Sequence, residues 1–81
     1  MVYTTMELNE FIEKFREELE IESVEELDGD TEFHQLEEWT SMAGLTFMAL
    51  CDSTFHVNVT ADEIRSSETI EELYNIVTSK M

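Results

Sequence analysis

The spacing of apolar residues most constrains the fold of this chain. Apolar side chains recur three and four residues apart in several segments, which is the spacing of one face of an α-helix. No convincing alternating run accompanies them, and the one candidate strand, residues 55–59, would have no partner strand. The 81 residues include no proline, only two glycines and no Ser/Gly-rich linker. The pattern predicts an all-α protein with a single domain over residues 1–81.

Three pairs of residues predict where helices begin. A threonine followed three residues later by a glutamate is typical of a capping box, in which each side chain bonds a backbone N–H of the other residue. Such pairs predict a first helix from about Met6 to Glu20, a short third helix ending near Ile64, and a fourth helix after residue 69. The pairs are Thr4 with Glu7, Thr60 with Glu63 and Thr69 with Glu72.

The apolar faces of the two longest predicted helices indicate the core. A second helix is predicted from about Ser41 to Phe55, and much of its surface is apolar. We expect each helix to bury one stripe against the others. The stripe of the first helix consists of Leu8, Phe11, Ile12, Phe15 and Leu19; that of the second consists of Met42, Leu45, Met48 and Ala49, widened by Phe47, Leu50 and Cys51.

A long connection, Ile21 to Trp39, joins these two helices. Residues 28–31, Asp-Gly-Asp-Thr, indicate a turn. A connection of this length needs anchors on the core or a short helix, for which residues 24–27 are a candidate. We therefore predict an irregular four-helix bundle with a long first loop and a short third helix. The predicted anchors are Ile21, Val24, Leu27, Phe33 and Leu36, with Trp39 half-buried at the end of the loop.

The charge of the chain restricts its partners. The net charge is −16, and residues 1–38 hold 14 of the 20 acidic residues. Such a protein repels nucleic-acid phosphates and anionic membranes, and it favours partners with basic patches. No apolar stretch approaches the roughly 20 residues of a membrane span, and no signal peptide is visible. We expect a monomeric cytoplasmic protein that binds neither nucleic acid nor membranes.

The sequence offers little support for a metal site or a disulfide. Cys51 is the single cysteine, so an intramolecular disulfide and a Cys₂ or Cys₄ zinc site are excluded. The acidic residues 28–32 suggest calcium, but an EF-hand loop starting at Asp28 would need a glutamate where Trp39 stands. His34, His56 and Cys51 lack the spacing of metal ligands. We expect no metal ligands in this chain.

Ser41 is the residue that we single out for chemistry. The simplest interpretation is that Thr40 or Ser41 caps the second helix, which contributes about 1 kcal/mol. Neither His34 nor His56 stands in a triad context that would activate a serine. A separate enzyme would therefore have to modify Ser41. The free N–H groups and positive dipole end of a helix start suit an anion at this position.

The ordered set of segments resembles the acyl carrier proteins. An acidic first helix and a long loop lead to a serine at the start of the second helix, and a short third helix precedes the fourth. The family's usual Asp-Ser-Leu reads Thr40-Ser41-Met42 here. The resemblance covers nearly the whole chain, although no single motif is highly specific. The matching segments are residues 39–42 (Trp-Thr-Ser-Met), 55–59 (Phe-His-Val-Asn-Val), 61–64 (Ala-Asp-Glu-Ile) and 68–73 (Glu-Thr-Ile-Glu-Glu-Leu).

This resemblance implies a freestanding acyl, aminoacyl or peptidyl carrier protein and not an enzyme. A phosphopantetheinyl transferase would attach a 4′-phosphopantetheine arm from coenzyme A to Ser41. The arm would hold intermediates as thioesters in fatty-acid, polyketide, nonribosomal-peptide or related biosynthesis. The other partners would be loading and processing enzymes for acyl or aminoacyl groups, with basic or apolar docking patches. We expect the partner-facing residues to be Thr40, Met42, Thr46, Phe47 and Asp52.

Two features leave an alternative open. Thr40 replaces the usual aspartate, and residues 41–51 carry no charge. Both favour a carrier-like fold that is not modified and serves as an acidic protein-interaction module.

Gly44 lowers helix stability by roughly 1 kcal/mol relative to alanine. We interpret it as allowing close approach either by the arm or by a neighbouring side chain.

Overall fold

The computed structural model describes residues 6–81 of the chain. These residues form four α-helices and no β-strand, which confirms the predicted all-α bundle with a long first loop and a short third helix. Within the same residues, no helix has both the length and the apolar character needed to cross a membrane. The helices are α1 (Leu8–Leu19), α2 (Ser41–Leu50), α3 (Ala61–Ser66) and α4 (Ile70–Lys80).

Two further helical segments complete the architecture. The π-helical segment Cys51–Phe55 continues directly from α2, and the 3₁₀ turn Phe33–Gln35 lies in the long first loop. The candidate strand at residues 55–59 has no pairing partner in the described part of the chain. A single β-bridge there joins Glu32 to Thr69, so the loop is fastened to the start of α4.

The predicted starts of α3 and α4 are confirmed. The Thr60 hydroxyl accepts the Glu63 N–H at 3.1 Å, and the Glu63 carboxylate accepts the Thr60 N–H at 2.9 Å. The Thr69 hydroxyl accepts the Glu72 N–H at 3.3 Å in the same arrangement. Each box satisfies N–H groups that a helix start otherwise leaves free.

The start of α1 differs from the prediction. The helix begins at Leu8, so Glu7 occupies the N-cap position and not the third helical position. The Glu10 carboxylate accepts the Glu7 N–H at 3.1 Å. Thr4, the other member of the predicted pair, lies outside the described residues.

The core is built around phenylalanine rings. Phe47 from α2 meets the rings of Phe11 and Phe15 from α1 at centroid distances of 6.0 and 5.8 Å, both close to edge-on. Such pairs add to the free energy gained by burying the rings. Of the predicted loop anchors, Ile21, Phe33 and Leu36 are buried, whereas Val24 and Leu27 are partly buried against the same core.

The buried face of α2 is only partly the predicted one. Phe47, Leu50 and Cys51 are buried as predicted, whereas the other four residues of the predicted stripe are not. Met42 and Leu45 are 63% and 56% exposed, Ala49 is exposed and Met48 is only partly buried. The prediction was wrong because α2 has no charged residue to mark its outward face, so the volume of Phe47 decides which side packs on α1. The buried residues are Ala43, Phe47, Leu50 and Cys51, at helical positions i, i+4, i+7 and i+8.

The long loop contains the predicted turn but not the predicted helix. The Thr31 N–H donates to the Asp28 carbonyl at 3.2 Å. Gly29 lies so close to α4 that an added Cβ would be 3.2 Å from the Glu71 Cβ. Residues 24–27 form no helical turn; the short helix of the loop is the 3₁₀ turn at residues 33–35, because Phe33 must reach the core there.

Candidate attachment site at the start of α2

Ser41 is the first residue of α2, and its side chain is exposed. Thr40 precedes it in an extended conformation, but the Thr40 side chain makes no capping hydrogen bond. The N–H groups of Ser41 and Met42 and the Ser41 hydroxyl have no hydrogen-bond partner among residues 6–81. The start of α2 therefore presents free donors and the positive end of the helix dipole to whatever Ser41 carries.

The residue before the site is held by aromatic packing. The Trp39 ring stacks on Phe15 at a centroid distance of 6.2 Å and an interplanar angle of 8°. It also meets Phe33 edge-on at 4.7 Å. Trp39 is half-buried, as predicted, and it fixes the chain two residues before Ser41.

Glu38 joins the two ends of the long loop. Its carboxylate accepts the N–H of Glu22 at 2.9 Å, the N–H of Ser23 at 2.8 Å and the hydroxyl of Ser23 at 2.7 Å. These hydrogen bonds, led by the one from the Glu22 backbone, lower the pKa of Glu38 from 4.5 to about 2. The loop start is thus tied to a residue three positions before Ser41. Nothing in the sequence distinguishes Glu38 from the other acids of the loop.

A cavity of about 290 Å³ opens beside Ser41 between α2 and α3. Its walls are mostly apolar, and Arg65 is the one acidic or basic side chain, histidine aside, among its lining residues. Arg65 also pairs with Asp62, one turn earlier on the exposed face of α3. The lining comprises Thr40, Ser41, Gly44, Leu45 and Met48 from α2 and its N-cap, Ala61, Ile64 and Arg65 from α3, and His34 and Trp39 from the loop.

His34 holds the loop wall of this cavity against α3. Its Nε2–H donates to the carbonyl of Ser67, just after the end of α3, at 2.9 Å. Its ring meets Trp39 edge-on at 5.9 Å. Because Nε2 carries this proton, that nitrogen cannot serve as a base for Ser41. No pattern in the sequence indicates this contact.

A second hollow, of about 230 Å³, lies on the other side of α2, towards α1. We call it the acidic groove, because it is lined by three glutamates and no basic residue. Its lining comprises Glu18, Leu19, Glu20, Glu38, Thr40, Met42, Ala43 and Thr46.

The residues predicted to face partners differ in their exposure. Thr40, Met42 and Asp52 are exposed, and Thr46 is partly exposed. Phe47 is fully buried, so its assignment to the partner-facing surface was wrong; the ring is needed in the core between α1 and α2. Leu45, which the sequence placed in the core, is 56% exposed and lies one turn from Ser41.

Cys51 offers no reactive thiol. The side chain is fully buried, and burial raises the pKa of the thiol to about 12. The thiol therefore stays protonated near neutral pH and packs as a small apolar group. Among residues 6–81, no three His, Cys, Asp or Glu side chains are grouped so as to hold a metal ion.

Comparison with known proteins assigns a family to this fold and site. Residues 9–77 match the family model described as the phosphopantetheine attachment site. The match covers most of the chain, from α1 to the last turns of α4, so the chain belongs to this family of carrier domains. Such domains are the site of covalent 4′-phosphopantetheine attachment, and they generally interact with transferases and biosynthetic enzymes. Comparison with curated proteins and with solved structures gave no match.

Proposed function

We propose that Ser41 carries the 4′-phosphopantetheine arm and that the protein carries acyl, aminoacyl or peptidyl groups in fatty-acid, polyketide, nonribosomal-peptide or related biosynthesis. When attached, the arm supplies a terminal thiol on which such a group is held as a thioester. The observation that supports Ser41 is its exposed hydroxyl at the start of α2, within the stretch that matches the family. The protein itself presents the carried group to its partner enzymes and is not a catalyst.

The residues at the start of α2 fit the phosphodiester of such an arm. The N–H groups of Ser41 and Met42 are free donors within the described chain, and they lie at the positive end of a ten-residue helix. The nearest acid before them, Glu38, directs its carboxylate to the loop N–H groups of Glu22 and Ser23. An anion on Ser41 therefore meets donors in this otherwise acidic protein.

The surface around Ser41 is apolar, which indicates how a modifying enzyme docks. A transferase must bring the Ser41 hydroxyl into its own active site, and so it covers the neighbouring side chains. Met42 and Leu45 lie within one turn of Ser41 and are two of the most exposed large apolar residues of residues 6–81. We infer that partners place an apolar patch on Met42 and Leu45, while basic groups nearby match the acids of α1.

The test is the intact mass of the protein after incubation with coenzyme A and a broad-specificity phosphopantetheinyl transferase. We expect one phosphopantetheine adduct on the wild type and none on Ser41→Ala. Ser53→Ala is the matched control, because Ser53 is an exposed serine on the π-helical segment that continues from α2. Its adduct should equal that of the wild type. Circular dichroism of each variant shows that it is folded.

The outcome for Thr40 separates two causes of failure. If the folded wild type gains no adduct, the assay is repeated with Thr40→Asp, which also restores a good N-cap residue. An adduct on Thr40→Asp that Ser41→Ala removes would locate the defect in recognition and keep Ser41 as the acceptor. No adduct on either protein would contradict the proposal and favour the unmodified acidic interaction module.

A further inference from the structure

The start of α2 is held differently from the starts of α3 and α4. Those two helices begin with capping boxes, in which Thr60 and Thr69 each accept an N–H group of their own helix. Thr40 makes no such bond, so the N–H groups of Ser41 and Met42 stay free within residues 6–81. A side-chain cap there would compete for donors that suit an anion on Ser41. The start of α2 therefore lacks the support that its own side chains could give.

Residues 21–25 follow α1 and belong to neither a helix nor a strand. Their backbone groups bond instead to two charged side chains of opposite sign. Arg16, half-buried on α1, donates from its guanidinium to three of their carbonyls. These are the carbonyls of Ile21, Val24 and Glu25, at 2.9, 3.2 and 2.9 Å. Arg16 thus binds the segment to α1.

Glu38 bonds the donors of the same segment, whereas Arg16 bonds its acceptors. The Glu38 carboxylate accepts the N–H groups of Glu22 and Ser23 at 2.9 and 2.8 Å, and the Ser23 hydroxyl at 2.7 Å. Hydrogen bonds to ionised groups are stronger than those between neutral groups. Residues 21–25 are therefore held by a cation of α1 and by an anion three positions before Ser41.

Glu38 is connected to α2 through the backbone. The Thr40 N–H donates to the Glu38 carbonyl at 3.0 Å, and the Ala43 N–H donates to the Thr40 carbonyl at 3.0 Å. A series of hydrogen bonds therefore runs from Arg16 through residues 21–25 and Glu38 to the first turn of α2. It uses no donor of Ser41.

The position of the Ser41 oxygen matters for its modification. In that reaction the oxygen forms a bond to the phosphorus that bears the pantetheine, the bond from this phosphorus to the leaving nucleotide breaks, and the transferase takes the hydroxyl proton. The attacking oxygen has to lie in line with the bond that breaks. A displacement of about 1 Å can slow such a step by on the order of a hundredfold. Fixing the start of α2 to α1 therefore favours the reaction.

We propose that Glu38 and Arg16 are positioning residues for the modification of Ser41. They fix the start of α2 from outside the helix and so leave the Ser41 N–H and hydroxyl free. Neither side chain needs to touch coenzyme A, because both act through residues 21–25. The inference rests on the proposed function, since it concerns the reaction at Ser41.

The test is the steady-state kinetics of modification by the broad-specificity transferase, at a temperature where circular dichroism shows each variant folded. Glu38→Gln and Arg16→Gln should each lower kcat by about tenfold. The KM for the carrier should change little, because the exposed Met42 and Leu45 remain in place. The double variant should lose little more than either single one, since both act on one segment. If only Thr40→Asp gains the adduct, the variants are made in that background.

The conservative variant Arg16→Lys tests the geometry of the donors. Lysine keeps the positive charge but lacks the planar fork with which Arg16 reaches three carbonyls. Its kcat should therefore lie between those of the wild type and Arg16→Gln. A kcat as low as that of Arg16→Gln would show that the charge alone does not suffice.

Matched controls separate position from charge. Glu37→Gln removes the exposed acid next to Glu38, and Lys14→Gln removes an exposed base of α1. Neither side chain is among the hydrogen-bond partners of residues 21–25. Both variants should therefore keep the kcat of the wild type.

A third control separates position from stability. Tyr74→Phe removes the hydrogen bond that the Tyr74 hydroxyl donates to the Met6 carbonyl at 2.7 Å, before the start of α1. It should lower the melting temperature without changing kcat, because this bond lies at the end of α1 away from Arg16.

Backbone dynamics give a readout that needs no enzyme. The amide order parameters of Thr40 and Ser41 should fall in Glu38→Gln, because the start of α2 is then held less firmly. Those of Thr60 and Ala61, at the start of α3, should not change, because the capping box there is intact.

The possible outcomes are distinguishable. An unchanged kcat in Glu38→Gln and Arg16→Gln, whatever their stability, would make them structural residues only and overturn the inference. An equal fall of kcat in Glu37→Gln would assign the effect to charge and also overturn it. The adduct still forms in both cases, so the proposed function would stand. No adduct on the wild type or on Thr40→Asp would overturn both.

Discussion

The two hollows beside the start of α2 differ in chemistry more than in size. The cavity towards α3 holds about 290 Å³ and the acidic groove towards α1 about 230 Å³. The first has mostly apolar walls and Arg65, whereas the second is lined by Glu18, Glu20 and Glu38. Ser41 lines only the first. An anionic group on Ser41 is therefore attracted to one side of α2 and repelled from the other.

This difference shows that the net charge of −16 does not describe the surroundings of Ser41. The end of α1 and the end of the long loop bring their acids together on one side of α2. The other side is built by α3, where Arg65 reaches the cavity. One helix thus separates a surface suited to basic groups of a partner from a surface suited to an anionic and partly apolar ligand.

The largest effect is expected where α2 faces neither hollow. Phe47→Ala removes a fully buried ring that packs on Phe11 and Phe15, and should lower the free energy of unfolding by about 3–5 kcal/mol. Met42→Ala, on the exposed side of the same helix, should change it by less than about 0.5 kcal/mol. Urea denaturation measures both. Similar losses in the two variants would contradict the orientation of α2 on which the comparison depends.

The sequence predicted the helices better than it predicted their faces. The capping boxes at Thr60 and Thr69 and the apolar face of α1 are local patterns, and the structure confirms them. In α2 every position from Ser41 to Leu50 is uncharged, so periodicity alone does not choose between Met42 and Ala43 as the inward residue. Only the packing of Phe47 against α1 settles that choice.

The sequence predicts residues of the candidate site only where they are close in sequence to the start of α2. Ser41 follows from the order of the segments, and Trp39 follows as the last anchor of the loop. Glu38 and Arg65 do not, because their roles depend on residues that are far away in the sequence. Glu38 bonds Glu22, and Arg65 meets the cavity from another helix.

A smaller effect, of opposite sign, is expected on the cavity side. Gly44→Ala should raise the free energy of unfolding by about 1 kcal/mol, since the added methyl group meets no atom within 4 Å and alanine favours the helix. For a domain of this size, the melting temperature should rise by roughly 4–8 °C. Thermal denaturation followed by circular dichroism measures this. A lower melting temperature would mean that the space beside Gly44 is not open, and the contrast between the two sides of α2 would weaken.

The smallest effect is expected on the side of the acidic groove, from Glu38→Gln. The Glu38 carboxylate accepts three hydrogen bonds from Glu22 and Ser23, and a neutral amide oxygen accepts them less strongly. The variant should therefore be less stable than the wild type at neutral pH. Because solvent screens this carboxylate, we expect a modest difference. Glu26→Gln is the matched control. Glu26 lies in the same loop, and its carboxylate accepts no hydrogen bond within residues 6–81.

The pH dependence identifies the cause of that difference. Hydrogen bonding in the folded protein lowers the pKa of Glu38 from 4.5 to about 2, so the folded state binds the proton less readily than the unfolded state does. The contribution of Glu38 to the free energy of unfolding is complete above pH 4.5 and is lost as the pH falls towards 2. Urea denaturation of the wild type and Glu38→Gln across this range should show their difference in unfolding free energy shrinking as the pH falls. The other acids also become neutral and relieve mutual repulsion, but both proteins share that effect. A difference that stays constant down to about pH 2 would mean that the carboxylate charge does not hold the loop, and the acidic groove would then owe its shape to apolar packing alone.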